Sequence, residues 1–208
     1  MPATCRPQIA LVGRSNVGKS SLINALTRTK VARTSAAPGK TRLANVYRIG
    51  RKGRGGWGLG TGGSELRTLF LVDLPGYGYA RGGDQAAREF ARLAAEYFSS
   101  EGVGTGFSRP DRPGPEAALL LVDSRHPGLE TDLDAWRWLS ELPVRAAIVA
   151  TKIDKLGRAE RSRAIRDMER SFDSPVLPVS ATTGEGMELL WKLIERLARP
   201  HPSPQTPA

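Results

Sequence analysis

Short apolar runs alternate with amphipathic segments along most of the chain. The apolar runs have the length of buried strands, and they occupy positions 9–12, 43–49, 66–72, 117–122, 146–150 and 176–179. The amphipathic segments have the spacing of helices, and they begin after Gly18 and then cover 84–98, 130–142, 158–172 and 185–198. This order predicts an α/β fold with a mainly parallel, six-stranded sheet and helices on both of its faces.

Three glycine- or proline-rich stretches interrupt this pattern. The second and third strands follow each other without a helix, so we expect them to form a hairpin that adds one antiparallel edge strand. Its connection, about 50–65, and the segment 99–115 are predicted to be flexible insertions. We therefore expect a lead of residues 1–8, one domain over 9–198 and a disordered, proline-rich tail over 199–208.

Composition narrows the class of protein and its surroundings. Hydrophobic residues make up 39% of the chain and charged residues 25%, as in ordinary globular proteins. One cysteine allows no internal disulfide, and no apolar segment has the length of a membrane span. We expect a cytoplasmic protein without a membrane partner, acting as a monomer.

The positive charge is concentrated in the first third of the chain. Residues 1–65 contain 12 Lys and Arg and one acid, a net of +11, whereas the remainder contains 19 Lys and Arg and 20 acids, a net of −1. A compositional bias would spread over the whole chain. The imbalance favours a polyanionic partner near the N-terminal third.

A phosphate-binding motif lies between the first strand and the first helix. The segment has the form G-x-x-x-x-G-K-[ST], in which backbone N–H groups and a helix N-terminus face phosphate oxygens. The lysine neutralises phosphate charge, and the hydroxyl of the last residue binds Mg²⁺. The motif residues are Gly13, Arg14, Ser15, Asn16, Val17, Gly18, Lys19 and Ser20.

Two further segments fit the same chemistry. Thr41 follows a Pro-Gly turn in the loop after the first helix, where a threonine can close on Mg²⁺ and a γ-phosphate. Asp73 begins a D-x-x-G sequence, Asp73, Leu74, Pro75 and Gly76, at the end of the third strand. The carboxylate can hold Mg²⁺ through water, and the Gly76 N–H can detect the γ-phosphate.

A third pair of segments indicates which base is bound. Thr151, Lys152, Ile153 and Asp154 follow a strand, at the sheet edge where α/β folds bind ligands. Asp154 can accept hydrogen bonds from the N1–H and N2–H₂ groups of guanine, a donor pair that adenine lacks. Val179, Ser180 and Ala181 end the next strand, where the Ala181 N–H can meet the guanine O6. Together the motifs predict a GTPase that binds GTP and GDP.

The chain resembles the bacterial EngB (YihA/YsxC) GTP-binding proteins, which belong to the TrmE-Era-EngA-EngB-Septin-like P-loop GTPases. The resemblance extends over about 9–198. It is carried by the phosphate motif, by Ala-Arg-Thr-Ser at 32–35, by Pro-Gly-Lys-Thr at 38–41, by Asp-Leu-Pro-Gly-Tyr-Gly-Tyr at 73–79, by Val-Asp-Ser-Arg-His at 122–126 and by Thr-Lys-Ile-Asp at 151–154.

This resemblance implies a Ras-like domain that acts in assembly of the large (50S) ribosomal subunit, with a link to cell division and septation. It implies large-subunit rRNA and proteins as partners, and Ser20 and Thr41 as the Mg²⁺ ligands. The implied nucleotide contacts are the phosphate motif, the D-x-x-G residues, the two base-binding segments and Gly39, Lys40, Thr41, Arg42 and Leu43.

The residues expected to act in hydrolysis are less clearly defined. Lys19 and Thr41 are the candidates from the motifs, but Tyr77 stands where Ras-like enzymes place the glutamine that orients water. We therefore expect slow intrinsic turnover. In similar GTPases an asparagine at the position of Asn16 helps to hold K⁺ beside the phosphates. Here Asn16 either does this or only shapes the loop.

Two alternative functions remain open from the sequence. One is a nucleotide-dependent division scaffold with little hydrolysis, and the other is a GTPase acting on tRNA or the small subunit.

The cationic stretch around Arg51, Lys52, Arg54 and Trp57 either contacts RNA or is a solvated insertion. In the third predicted helix, about 130–142, the buried face is expected to consist of Leu129, Leu133 and Trp136.

Overall fold

The computed structural model of the chain describes residues 7–32, 44–52, 56–59, 68–77, 83–98 and 115–199. These ranges contain seven strands: β1 Gln8–Gly13, β2 Asn45–Lys52, β3 Gly56–Leu59, β4 Thr68–Asp73, β5 Ala117–Asp123, β6 Arg145–Thr151 and β7 Val176–Pro178. They also contain five α-helices: α1 Lys19–Thr27, α2 Gly83–Phe98, α3 Glu130–Glu141, α4 Arg158–Phe172 and α5 Met187–Leu197. A short 3₁₀ turn covers Ile153–Lys155.

The strands form one sheet in the order β3-β2-β4-β1-β5-β6-β7. Strands β4, β1, β5, β6 and β7 run parallel, and β2 pairs antiparallel with β4 and with β3. The predicted fold class is therefore confirmed: a mainly parallel α/β sheet in which helices connect the parallel strands.

The antiparallel part of the sheet differs from the prediction. Within the described ranges the sheet has seven strands rather than six, and the antiparallel β2 is not the edge strand because β3 pairs with its outer side. Strand residues lie within the predicted insertion at 50–65. Strand β2 continues to Lys52, and Arg51 pairs with Trp57 of β3. The prediction missed β3 because Gly56–Leu59 has two glycines and no alternation of apolar and polar residues.

Buried side chains cover both faces of the sheet. On one face, Ile9 and Leu11 of β1 pack in a cluster with residues of α1 and α5. On the other face, Ala10 and Val12 pack with residues of α2, α3 and α4. Because both faces of the central strands are buried, the strands consist of nearly continuous aliphatic residues. This rigid double core fixes the strand ends from which the candidate site is built.

The buried face of α3 also differs from the predicted one. Its buried residues are Asp132, Ala135 and Leu139, whereas Leu133 and Trp136 are only partly buried. The ring of Trp138 packs edge-on against Phe98 at the end of α2, with a centroid distance of 5.3 Å. Helix α3 therefore directs a carboxylate, together with small and aliphatic side chains, toward the sheet.

A tight junction lies between β7 and α5. Gly186 precedes α5 with a φ of 75°, and a Cβ atom at this position would lie 2.2 Å from the carbonyl oxygen of Pro178. Gly184 has a similar φ of 81°, but a Cβ there would have no heavy atom within 4 Å. The two glycines therefore share a backbone conformation and differ in the space around them.

We predict that Gly186→Ala lowers the free energy of unfolding by about 2–4 kcal/mol, since it adds a backbone clash to the strain of a positive φ. The matched control Gly184→Ala has only the strain and should cost about 1 kcal/mol. Urea denaturation of the two variants and the parent chain measures both values. Equal losses would show that the approach to Pro178 is unimportant.

Candidate functional site

The predicted site residues meet at the carboxyl edge of the parallel strands. Strand β1 leads into the phosphate motif, β4 ends at Asp73, and β6 ends at Thr151. The register pairs Leu11 with Asp73 and Asp123 with Thr151, so these strand ends lie side by side. Open α/β sheets bind their ligands at this edge.

The phosphate motif forms a loop that returns sharply into α1. Asn16 and Gly18 adopt positive φ angles of 61° and 114°, and the Val17 N–H donates to the Arg14 carbonyl at 3.2 Å. Helix α1 begins at Lys19, which places Ser20 in its first turn. Glycine or asparagine tolerates the left-handed conformation at these turns better than most residues. The loop therefore has the form that the motif predicts.

Lys19 is buried at the centre of this loop. Its side-chain Nζ donates to the carbonyl oxygens of Gly13 and Arg14 at 3.0 and 3.3 Å. Burial lowers the pKa of Lys19, and the nearby Asp73 carboxylate opposes this shift. The ammonium group thus bonds to two backbone carbonyls of its own loop.

Asp73 is a buried carboxylate with an unsatisfied oxygen. It is 4% exposed, and its Oδ1 is buried without a hydrogen-bond partner among the described residues. Burial raises the pKa of Asp73 to about 6, and the charge of Lys19 acts in the opposite direction. A buried acceptor without a partner is costly. A cation or its bound water would satisfy this oxygen.

Several apolar side chains of the motifs are buried in the core. Val17, Leu74 and Ile153 are buried in the described structure, at 1–2% exposure. Gly76 packs so closely on the phosphate loop that a Cβ there would lie 2.6 Å from the Ser15 nitrogen. At these positions only the backbone can face a ligand.

The predicted base-binding segment is tied directly to the phosphate loop. The Thr151 hydroxyl lies 2.6 Å from the Val17 carbonyl and 3.0 Å from the Val122 carbonyl, and it can donate to one of them at a time. Thr151 therefore connects the two segments at the position where many GTPases have asparagine.

Lys152 makes a second connection between the same segments. Its Nζ donates to the Asn16 carbonyl at 2.5 Å and to Asp123 Oδ2 at 2.8 Å. Arg125 also donates two side-chain hydrogen bonds to Asp123, at 2.9 and 2.7 Å. The hydrogen bonds from Arg125 and Lys152 outweigh burial and hold the pKa of Asp123 well below its usual range. The carboxylate stays charged and orients both cations.

Asp154 is held by the segment after β7. Its Oδ1 accepts a hydrogen bond from the Ser180 hydroxyl at 2.7 Å, and this bond is the main cause of its lowered pKa. The Ser180 Oγ itself accepts the N–H groups of Thr182 and Thr183 at 3.2 and 3.0 Å. The carboxylate is therefore ionised and oriented, as an acceptor of guanine N–H groups must be.

The structure contains a buried cluster that the sequence did not indicate. Asp132 of α3, 1% exposed, accepts the Tyr77 hydroxyl at 2.8 Å and the Arg14 Nε at 3.1 Å. Burial raises the pKa of both Asp132 and Tyr77. The signal that could have revealed this cluster is an acid at i, i+3, i+7 spacing with Ala135 and Leu139.

The remaining predicted contacts lie in two segments of the chain. Within the described ranges, Val179, Ser180 and Ala181 follow β7 beside Asp154. Five predicted contact residues lie outside the described residues: Gly39, Lys40, Thr41, Arg42 and Leu43. Among the helices in the described ranges, none combines the length and the hydropathy that a membrane span requires.

Comparisons with known proteins agree with this architecture. A family model described as a 50S ribosome-binding GTPase matches residues 8–152. The chain is 37% identical over 202 residues to the probable GTP-binding protein EngB of Lacticaseibacillus casei, covering 95% of this chain and 88% of that protein. It is 38% identical over 194 residues to the corresponding protein of Solibacter usitatus, covering 93% and 87%.

A solved structure supports the fold at lower sequence identity. The crystal structure of Aquifex aeolicus Era superposes with a TM-score of 0.69 at 22% identity, covering 98% of this chain and 60% of Era. This match concerns the fold alone, whereas the sequence relatives cover nearly the whole chain at more than a third identity. The chain belongs to the EngB family of GTPases.

Proposed function

We propose that this chain binds GTP and GDP with Mg²⁺, hydrolyses GTP slowly, and acts as a switch in assembly of the large ribosomal subunit. The nucleotide assignment rests on two hydrogen bonds between the base segment and the phosphate loop. The Thr151 hydroxyl donates to the Val17 carbonyl, and Lys152 donates to the Asn16 carbonyl. These hydrogen bonds hold two recognition elements at a fixed separation. A nucleotide, which has phosphates at one end and a base at the other, needs such an arrangement.

The roles of the side chains follow from their positions. Lys19 would leave its two carbonyl partners and neutralise the β- and γ-phosphates, because a phosphate is a stronger acceptor than a carbonyl. Asp154, oriented by Ser180, would select guanine, and the Ala181 N–H would meet O6. Lys152 would lay its aliphatic stem along the base. The proposed contacts also include Gly13–Ser20 as a loop, Gly39–Leu43, and Asp73–Gly76.

The residues around Asp73 fit a magnesium ion. The Asp73 Oδ1, a hard oxygen acceptor without a described partner, lies near Lys19, and Ser20 lies in the first turn of α1. We propose Ser20 and Thr41 as direct ligands, with Asp73 acting through water. When bound, Mg²⁺ would neutralise charge on the β- and γ-phosphate oxygens.

The ribosomal role draws on the family and on charge. The matching family model is described as a 50S ribosome-binding GTPase, and the first 65 residues have a net charge of +11 against −1 for the rest. Ribosomal RNA is a polyanion that such a surface would attract. In the GTP state the segments around Thr41 and Gly76 would contact the γ-phosphate and form the binding surface, and hydrolysis would remove this contact. We propose that the protein acts as a cytoplasmic monomer, with a link to cell division and septation.

Hydrolysis would depend on groups other than Tyr77. The Tyr77 hydroxyl is buried and donates to Asp132, so it does not orient water in the way that glutamine does in Ras-like enzymes. Asn16 is the alternative, since its side chain is exposed while its backbone adopts a φ of 61°. We propose that Asn16 helps to hold K⁺ beside the phosphates, where a positive charge stabilises the transition state.

We predict that GTP hydrolysis is at least about tenfold faster in KCl than in NaCl at equal ionic strength. The test variant Asn16→Gly keeps the positive φ that the loop requires but removes the side chain. It should keep GDP affinity within about twofold and lose the preference for K⁺. Equal rates of the parent chain in the two salts would reject the potassium site.

We predict that the protein co-sediments with 50S particles in the presence of a non-hydrolysable GTP analogue and is released with GDP, because the γ-phosphate would complete the binding surface. A Ser20→Ala variant, which lacks one Mg²⁺ ligand, should show the same low binding in both states. Association that is equal in both nucleotides would contradict the switch. Enrichment on 30S particles would instead favour the alternative small-subunit function.

A further inference from the structure

A buried carboxylate joins three parts of the fold. Asp132 lies in the first turn of α3, on the face that packs toward the sheet, and is 1% exposed. Tyr77 donates its hydroxyl to Oδ1 at 2.8 Å, and the Arg14 Nε lies 3.1 and 3.2 Å from the two carboxylate oxygens. Both oxygens therefore have a donor within the described structure.

The two donors belong to the two segments that would contact phosphates. Arg14 is the second residue of the phosphate loop, and Tyr77 directly follows Gly76. The same segments also touch through their backbones. The Ser15 N–H donates to the Tyr77 carbonyl at 3.2 Å, and Arg14 and Tyr77 form an isolated parallel bridge. Asp132 is thus the common anchor of two loops that lie against each other.

A carboxylate is an expensive choice for this position if packing is its only purpose. Burying an ion pair costs desolvation energy that an apolar residue of similar volume would avoid, whereas removing one partner leaves an uncompensated charge. Both carboxylate oxygens of Asp132 nevertheless have hydrogen-bond donors, from the Arg14 guanidinium and the Tyr77 hydroxyl. What the charged pair adds over an apolar contact is direction, because hydrogen bonds fix the angle between the loops.

We infer that Asp132 is a positioning residue that holds Gly76 against the phosphate loop and thereby favours GTP over GDP. The inference rests on the proposed function, in which the Gly76 N–H meets the γ-phosphate. A loop that is already in place does not have to be ordered when GTP binds, so the affinity for GTP is higher. GDP has no γ-phosphate and gains nothing from this preorganisation.

The test compares two nucleotides in four proteins. The dissociation constants for fluorescent GDP and for a fluorescent non-hydrolysable GTP analogue are measured with Mg²⁺ in the parent chain, in Asp132→Asn, in Tyr77→Phe and in the control Asp134→Asn. Asp134 lies on the same helix, is exposed and pairs only with Arg137 in the described contacts. We expect both site variants to bind the analogue about tenfold more weakly and GDP within about twofold.

The pattern of losses separates positioning from folding. Tyr77→Phe removes a single oxygen and keeps the ring, so it remains informative if Asp132→Asn unfolds. Because the two residues act through one hydrogen bond, the double variant should lose less than the product of the two single losses. Equal losses for both nucleotides, or an unchanged ratio in Tyr77→Phe, would overturn the inference.

The parent chain distinguishes this inference from the proposed function. If the parent binds neither nucleotide, the proposed function fails and the inference fails with it. If the parent binds both nucleotides and the variants keep the parental ratio, only the positioning role of Asp132 is rejected. An altered ratio in the control Asp134→Asn would also contradict it, because an exposed charge would then have the same effect.

Discussion

The structure depends on two opposite charges that are buried at the carboxyl edge of the sheet. Lys19 begins α1 and Asp73 ends β4, and the two residues are 9% and 4% exposed. Burial lowers the pKa of Lys19 and raises that of Asp73, because it disfavours both charged forms. The opposite charge nearby reduces each shift. A site of this kind is tolerated because the surrounding core is closely packed on both faces of the sheet. Binding of phosphate and a cation at this place, as proposed, would offset the free energy that these charges cost in the fold.

Side-chain hydrogen bonds between loops connect the segments around these two buried charges along the whole edge of the sheet. Thr151 and Lys152 donate hydrogen bonds from the base segment to the phosphate loop. The Ser180 hydroxyl donates to Asp154. Asp132 accepts hydrogen bonds both from Arg14 of the phosphate loop and from Tyr77. Each of these bonds connects segments that are distant in sequence and come from different strands. These hydrogen bonds join the loops at this edge to one another, and the bond from Tyr77 to Asp132 joins them to α3.

The sequence was sufficient for the parts of the site that are set by local backbone chemistry. The phosphate loop, the D-x-x-G turn and the strand-end position of Asp154 each follow from residue types at fixed spacing, and the alternation of elements predicted the parallel sheet. Strand β3 was not predictable, because its pairing with β2 depends on tertiary contact rather than on apolar alternation. Asp132 was also missed, since an acid on a helix is expected to face solvent unless its distant partners are known.

The most direct test of the account is the thermal unfolding midpoint with guanine and adenine nucleotides in the presence of Mg²⁺. At about one hundred times the dissociation constant, a ligand adds about 2.7 kcal/mol of stability, which raises the midpoint by roughly 5–10 °C for a chain of this size. The account predicts this rise for GDP and for a GTP analogue, and no rise for ADP or an ATP analogue. Equal shifts with adenine nucleotides, or no shift with guanine nucleotides, would contradict a guanine-specific site at this edge of the sheet.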